Sequence, residues 1–378
     1  MLGKLKRWLR KLRGIGFSGI SFSWAPEEPD RSLIAELKRA LDNPDIDQLI
    51  PEALISYYAK NVAKGASLQL YQNQATTFPI LKKDEWIADP IRHPTGLHPR
   101  LTLAGRERPL AHPGLAREYR EAIRELNHHF DDNPVFAASK IGTVGEDGTV
   151  PIEVKMSKYS DYVFMAEILN AELRLKLTRY GLTESRNALP LRDNVGILNL
   201  DRYIAKIGLN VLTAKCMGSE HQFYVMDRSL MVMRRPLEYP NAIHVVPAGT
   251  VQPEGEEFRD NNELSLETTL VREYAEEFFA SDLTARTYLQ QALKSGSARF
   301  FVTGIGIDAL THKLEICGLL LLENEYPLGD ERILSSEGLI KSVNRNELEV
   351  IGQQASRTLP AGAVAIWQGL RYLNTLPY

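Results

Sequence analysis

After Asn194 the hydrophobic pattern of this 378-residue chain changes, and the change constrains its fold more than any other feature. Segments 207–215 (IGLNVLTAK), 222–227 (QFYVMD), 242–246, 300–307 and 315–322 (EICGLLLL) are short, rich in aliphatic and aromatic residues, and separated by Gly, Asn and Asp. Runs of that length and punctuation predict strands. Two longer segments of helical spacing are set among them, one starting near Leu266, so the order is strands, helix, strands, helix.

Upstream the pattern is mixed. Leu33, Ile34, Leu37 and Leu41 predict a helix over 31–41, and Pro51, at a favourable first helical position, predicts a second to about 63. Pro90, Pro94, Pro99, Pro109 and Pro113 break any long element over 76–113. A helix over 114–130, a half-buried strand over 149–156 (TVPIEVKM) and a helix over 160–180 follow. These make an α+β unit over 29–194, ahead of a second domain over 195–378. An apolar content of 44% is enough to bury two cores at this length. A quarter of the residues are charged and the net charge is only -3, which excludes a disordered chain and a globally basic nucleic-acid binder.

The first thirteen residues carry six bases and no acid, with Leu2, Leu5, Leu9 and Leu12 at helical spacing beside Trp8. This predicts a basic amphipathic helix, joined by a Gly/Ser/Pro linker to residue 28. Its partner is an anionic membrane surface, a nucleic acid, or a protein surface in the same or a partner subunit. No run is long enough to cross a bilayer and the N-terminus lacks the pattern of a secretory signal, so a cytoplasmic location, or one peripheral to a membrane, is expected. Cys216 and Cys317, without Cys or His at metal-ligand spacing, predict buried thiols in a reducing compartment. His93, His98, His128 and His129 also show no metal spacing, and read as ordinary surface or core residues.

The chemistry lies in 246–279, VPAGTVQPEGEEFRDNNELSLETTLVREYAEEFF. In REYAEE, Glu273, Glu276 and Glu277 stand at i, i+3 and i+4, which puts three carboxylates on one helical face. They repel unless a cation sits between them. An oxygen-only cluster suits Mg²⁺ or Mn²⁺, completed by water and phosphate oxygens. A bare ExxEE is more often a solvated acidic face. Here a turn containing Pro247, Ala248, Gly249 and Pro253 follows a strand and feeds the acidic helix, and Arg272 stands next to the carboxylates to pair with one of them.

On these residues the chain resembles the Nudix hydrolase superfamily, whose pattern is a Gly, five residues, a Glu, seven residues, then REUxEExGU with U aliphatic. PAGTVQPEGEE is similar to the family's PGGxxExGE loop, with Gly249 as the glycine and Glu256 as the nearest match to the following glutamate, while Arg272, Glu273, Glu276 and Glu277 match REUxEE. Glu256 and Arg272 are sixteen positions apart where the pattern has eight, which requires an insertion near 258–265. Without it the glutamate and glycine positions fall on Leu264 and Phe258. Tyr274 replaces an aliphatic residue, and Phe278 and Phe279 replace the closing Gly-aliphatic pair. Longer loops of this kind resemble the UDP-sugar pyrophosphatase type.

The resemblance implies an α/β/α sandwich with a mixed sheet and Mg²⁺- or Mn²⁺-dependent hydrolysis of a nucleoside diphosphate linked to a moiety X. The products would be a nucleoside monophosphate and phosphorylated X. Glu273, Glu276 and Glu277 would hold metal, with Glu256 as a fourth ligand, Arg272 orienting them, and Gly249 and Pro247 shaping the loop. Arg228, Arg234 and Arg235 precede that loop and would meet phosphate, and Glu323, Glu325 or Glu337 could supply a general base. A homo-oligomer is also expected. The competing reading is a sensor that binds a nucleotide without cleaving it and regulates the N-terminal domain or a partner.

Overall fold

The computed structural model describes residues 43–62, 68–73, 76–104, 133–185, 203–230, 243–253, 263–279, 283–324, 333–335, 337–354 and 357–376, with a few residues between 35 and 40, between 189 and 200, and at 326 and 328. The helices expected over 1–13 and 114–130, most of that over 31–41, and the candidates Arg234, Arg235, Glu256 and Glu325 lie outside the described residues, as do His128 and His129.

Helix α1 (Pro44–Val62) is followed by strands β1 (Gln69–Asn73), β2 (Thr76–Lys82), β3 (His98–Leu103), β4 (Pro134–Ile141) and β5 (Thr149–Lys158), then helix α2 (Tyr159–Ser185). Beyond residue 194 come β6 (Ala205–Met217), β7 (Glu220–Asp227), β8 (Ile243–Val245), β9 (Ala248–Thr250), β10 (Glu263–Leu264), α3 (Leu266–Phe279), α4 (Leu283–Ser295), β11 (Ala298–Asp308), β12 (Leu314–Leu322), β13 (Ile333–Ser335), β14 (Gly338–Val343), α5 (Arg345–Gln353) and α6 (Pro360–Leu373). The protein is α+β with a mixed sheet.

Two expectations are corrected. Helix α1 starts at Pro44, not at Pro51, because Asn43 supplies a stronger start: its side-chain oxygen accepts from the Asp45 amide at 3.0 Å. Pro51 sits inside the helix. Cys317 is buried, but Cys216 is only partly so, since β6 runs out towards solvent at that end.

The thirteen-residue β6 organises the sheet. Along 207–215 it pairs in parallel with β12; its other edge takes β9 at Gly208–Asn210 and β7 at Ala214–Met217. Beyond β12 the ladder continues through β11 and β2 to β1, and Lys206 and Ala205 join β6 to β4, β5, β3 and β10. All these contacts are antiparallel except β12 with β6 and β3 with β5. Strand β12 is buried at all nine positions, as expected of a strand covered on both faces.

Helices cover both faces. A Cβ on Gly369 of α6 would stand 2.8 Å from the Leu212 side chain, so Leu212 faces α6. Ala214 faces the same way and pairs with Phe223, which turns Tyr224 to the opposite face. There the Tyr224 ring meets Phe278 of α3, with centroids 5.8 Å apart. Among the described residues no helix is long and apolar enough to cross a membrane.

Hydrogen bonds cross residue 194. Leu81 and Ile80 of β2 pair with Ile307 and Asp308, and Tyr58 of α1 lies 2.9 Å from His312 Nε2. Arg192 is buried, and its guanidinium donates to the carbonyls of Ala309, Leu310 (2.7 Å) and Leu169 (3.2 Å). Arg192→Met is therefore expected to cost ~3–5 kcal/mol, because it leaves buried carbonyls unpaired where no water can replace the donor. A urea midpoint within error of the native one would contradict that role.

Candidate functional site

Helix α3 begins where the sequence predicted. Ser265 precedes it and accepts from the Glu267 amide at 3.2 Å, an N-cap bond, and the acid in the first turn favours the same end. It runs to Phe279 without a closing glycine. Tyr274 is fully buried and packs on Phe278 and Phe279, with centroids 4.9 and 5.5 Å away, so aromatic packing fills what an aliphatic side chain would otherwise occupy.

The turn facing this helix is held from both sides. The Val246–Pro247 peptide is cis. Thr213 Oγ1 donates to the Val246 carbonyl at 2.7 Å, the Val211 amide donates to the Pro247 carbonyl at 2.9 Å, and Gly249 pairs with Leu209. From the helix side, Arg272 Nη2 donates to the Thr250 carbonyl at 2.7 Å, while the Ala248 amide donates to Glu277 Oε2 at 3.0 Å. Gly249 lies directly under Glu273: a Cβ there would stand 1.8 Å from Glu273 Oε1. The position tolerates no side chain while Glu273 keeps this place.

Burial decides the electrostatics. Glu273 and Glu277 are both buried. Loss of solvation, helped by the nearby Glu276 and Glu337 and opposed by Arg272, pushes the Glu273 carboxyl up to about 7. Glu277 is held well above the ordinary carboxylate range, first by burial, then by Glu337 and Glu273. Its Oε1 is buried with no hydrogen-bond partner among the described residues. Two adjacent buried carboxylates, one with an orphaned oxygen, form an oxygen-only donor set that fits a hard divalent cation.

Glu276 does not join them. Its Oε1 is 3.2 Å from Arg286 Nη2 on α4 and its Oε2 is 3.4 Å from Arg272 Nη1, at the rim of the site. Among the described residues no three Asp, Glu, His or Cys side chains converge closely enough to hold an ion. The face that the spacing places together is thus divided in the folded chain: Glu273 and Glu277 go inward, Glu276 to two arginines. Arg272 also contacts Glu273 Oε1 at 2.8 Å.

Of the other candidates, Arg228 pairs with Glu337, and Glu337 is close enough to raise both buried glutamates. Pro247 is in the turn. Glu323 is exposed and lies at the far end of β12, beside the Leu322–Lys215 pair, about 20 Å of strand from Leu209. Sequence reasoning had no means of finding the Ala248 amide or Arg286. An amide carries no residue signature, and Arg286 sits on a different helix.

Fold and site define a protein class: a mixed sheet between helices, with a buried pair of carboxylates on a glycine turn. No protein-family model and no curated protein matches the chain. Among solved structures it is similar to the crystal structure of a NUDIX hydrolase from Alicyclobacillus acidocaldarius, at 16% identity over 43% of this chain and 89% of that one, with a TM-score of 0.28.

Proposed function

We propose that this site is a divalent-metal pyrophosphohydrolase centre of the Nudix type, which hydrolyses a nucleoside diphosphate linked to X and releases a nucleoside monophosphate and phosphorylated X. The observation that carries the reading is the pair Glu273 and Glu277, buried against the Gly249 turn with one oxygen left unsatisfied. A buried carboxylate with an unsatisfied oxygen, as at Glu277, costs stability, and a bound cation offsets the cost. Glu273 and Glu277, joined by Glu276 and by Glu256, would hold Mg²⁺ or Mn²⁺. Such an ion neutralises pyrophosphate charge and lowers the pKa of a bound water. Arg272 keeps Glu273 oriented through its bonds to Glu273 and the Thr250 carbonyl. Arg228 offers a guanidinium to phosphate, and Glu337, whose charge reaches both buried glutamates, would be the general base.

The test is incubation with Mg²⁺ and UDP-sugars, ADP-ribose, NAD or dinucleoside polyphosphates, with nucleoside monophosphate as the readout. UDP-sugars come first because of the sixteen-residue spacing between Glu256 and Arg272 in the sequence. The expected result is release from at least one compound and a fall of roughly a hundredfold in Glu276→Gln. Undiminished release in that variant removes Glu276 from the site. A sensor is the second reading, and the rim position of Glu276 favours it. A Mg²⁺-dependent rise in melting temperature with a nucleotide that is not cleaved would decide for the sensor.

A further inference from the structure

The third carboxylate is kept out of the buried pair by an arginine from another helix. On an ideal helix Glu276 lies about 60° around the axis from Glu273 on one side and Glu277 about 40° on the other, so Glu276 borders the face that carries the buried pair. What it meets instead is Arg286 on one oxygen, at 3.2 Å, and Arg272 on the other, at 3.4 Å. Arg272 has shorter contacts elsewhere, 2.7 Å to the Thr250 carbonyl and 2.8 Å to Glu273, so its link to Glu276 is the longest of the three. Arg286 holds the nearer contact and comes from α4, which packs on α3.

From this geometry we infer that Arg286 is a positioning residue that competes with the metal for Glu276, so that completing the three-carboxylate cluster requires the Arg286–Glu276 pair to open. The inference rests on the metal-site reading of Glu273 and Glu277. It gives the protein a means of setting metal affinity away from the ligands: the cluster loads fully only when the cation outcompetes a guanidinium. Both side chains are about a third exposed (30% and 36%), so solvent can replace the lost pairing and the exchange is modest in size.

The experiment measures Mn²⁺ binding to the full chain by electron paramagnetic resonance of free Mn²⁺, with circular dichroism to show that each variant is folded. Arg286→Gln is expected to bind Mn²⁺ about fivefold more tightly than the native chain. Arg286→Lys, which keeps the charge, is expected to bind like the native chain. In a Glu276→Gln background the Arg286→Gln change should add nothing, because the contested carboxylate is gone. An unchanged affinity in Arg286→Gln overturns the role of Arg286 and leaves the metal site standing. A gain that persists in the Glu276→Gln background also overturns it, since Arg286 would then act only by its long-range charge. If none of the proteins binds Mn²⁺, the metal-site reading and the inference fall together.

Discussion

Gly249→Ala is expected to reduce nucleoside monophosphate release by about a hundredfold or more, because a misplacement of about 1 Å at a reacting centre is enough for a loss of that order. A methyl group at that position would lie 1.8 Å from Glu273 Oε1 and 1.9 Å from its Cδ, well inside contact distance. The turn cannot retreat, since Val211, Thr213 and Leu209 fix it to β6. The Glu273 side chain must therefore leave its place over Gly249 or α3 must shift. The fold should survive with a loss of about 1–3 kcal/mol, the usual range for an overpacked site. Glu273→Ala in the same chain relieves the clash, so the double variant should recover stability but not activity. If Gly249→Ala alone kept native turnover, Glu273 would not be needed where the structure puts it.

Glu277→Gln has an effect of opposite sign on stability. Burial raises the Glu277 carboxyl above its ordinary value, so the folded state binds that proton more tightly than the unfolded chain does. The stability gained from the proton is fully present below the unfolded value near 4.5 and is lost as pH rises through the raised folded value. Every tenfold difference in proton affinity between the two states is worth about 1.4 kcal/mol. Glutamine keeps the shape and removes the ionisation. Thermal scans in EDTA should therefore show the variant similar to the native chain near pH 4.5 and several degrees more stable at pH 8. Added Mg²⁺ should stabilise the native chain at pH 8 and do little for the variant, whose turnover should fall by at least roughly a hundredfold. A variant less stable than the native chain at pH 8 in EDTA would show that Glu277 is satisfied in a way its environment does not reveal.

Much of the second half of the fold was legible. The strand segments over 207–215, 222–227, 300–307 and 315–322 correspond to β6, β7, β11 and β12, and the helix starts at Leu266. These segments have local signals strong enough to stand alone: apolar runs for the central strands, and helical spacing from Leu266 for α3. Strands β1 to β4 escaped detection because they are short or contain proline. Pro79 is tolerated in β2 because its carbonyl, not the missing amide, is used, accepting from Ala309 at 2.9 Å. The Pro51 error has the same origin, since a favourable local rule lost to a better start seven residues earlier.

By itself the sequence determined which residue types stand one helical turn apart: Glu273, Glu276 and Glu277 on one side of α3, behind a turn containing Gly249. That follows from the 3.6-residue period that every α-helix obeys. Only the tertiary structure decided that Glu273 and Glu277 are buried against the turn while Glu276 is held at the rim by Arg272 and Arg286. Burial and ion pairing depend on what β6, β9 and α4 bring to the helix, and where those elements pack is not written in the periodicity of α3 itself. The spacing of charges along a helix is a local property; their solvation, and so their chemistry, is set by the elements packed against them.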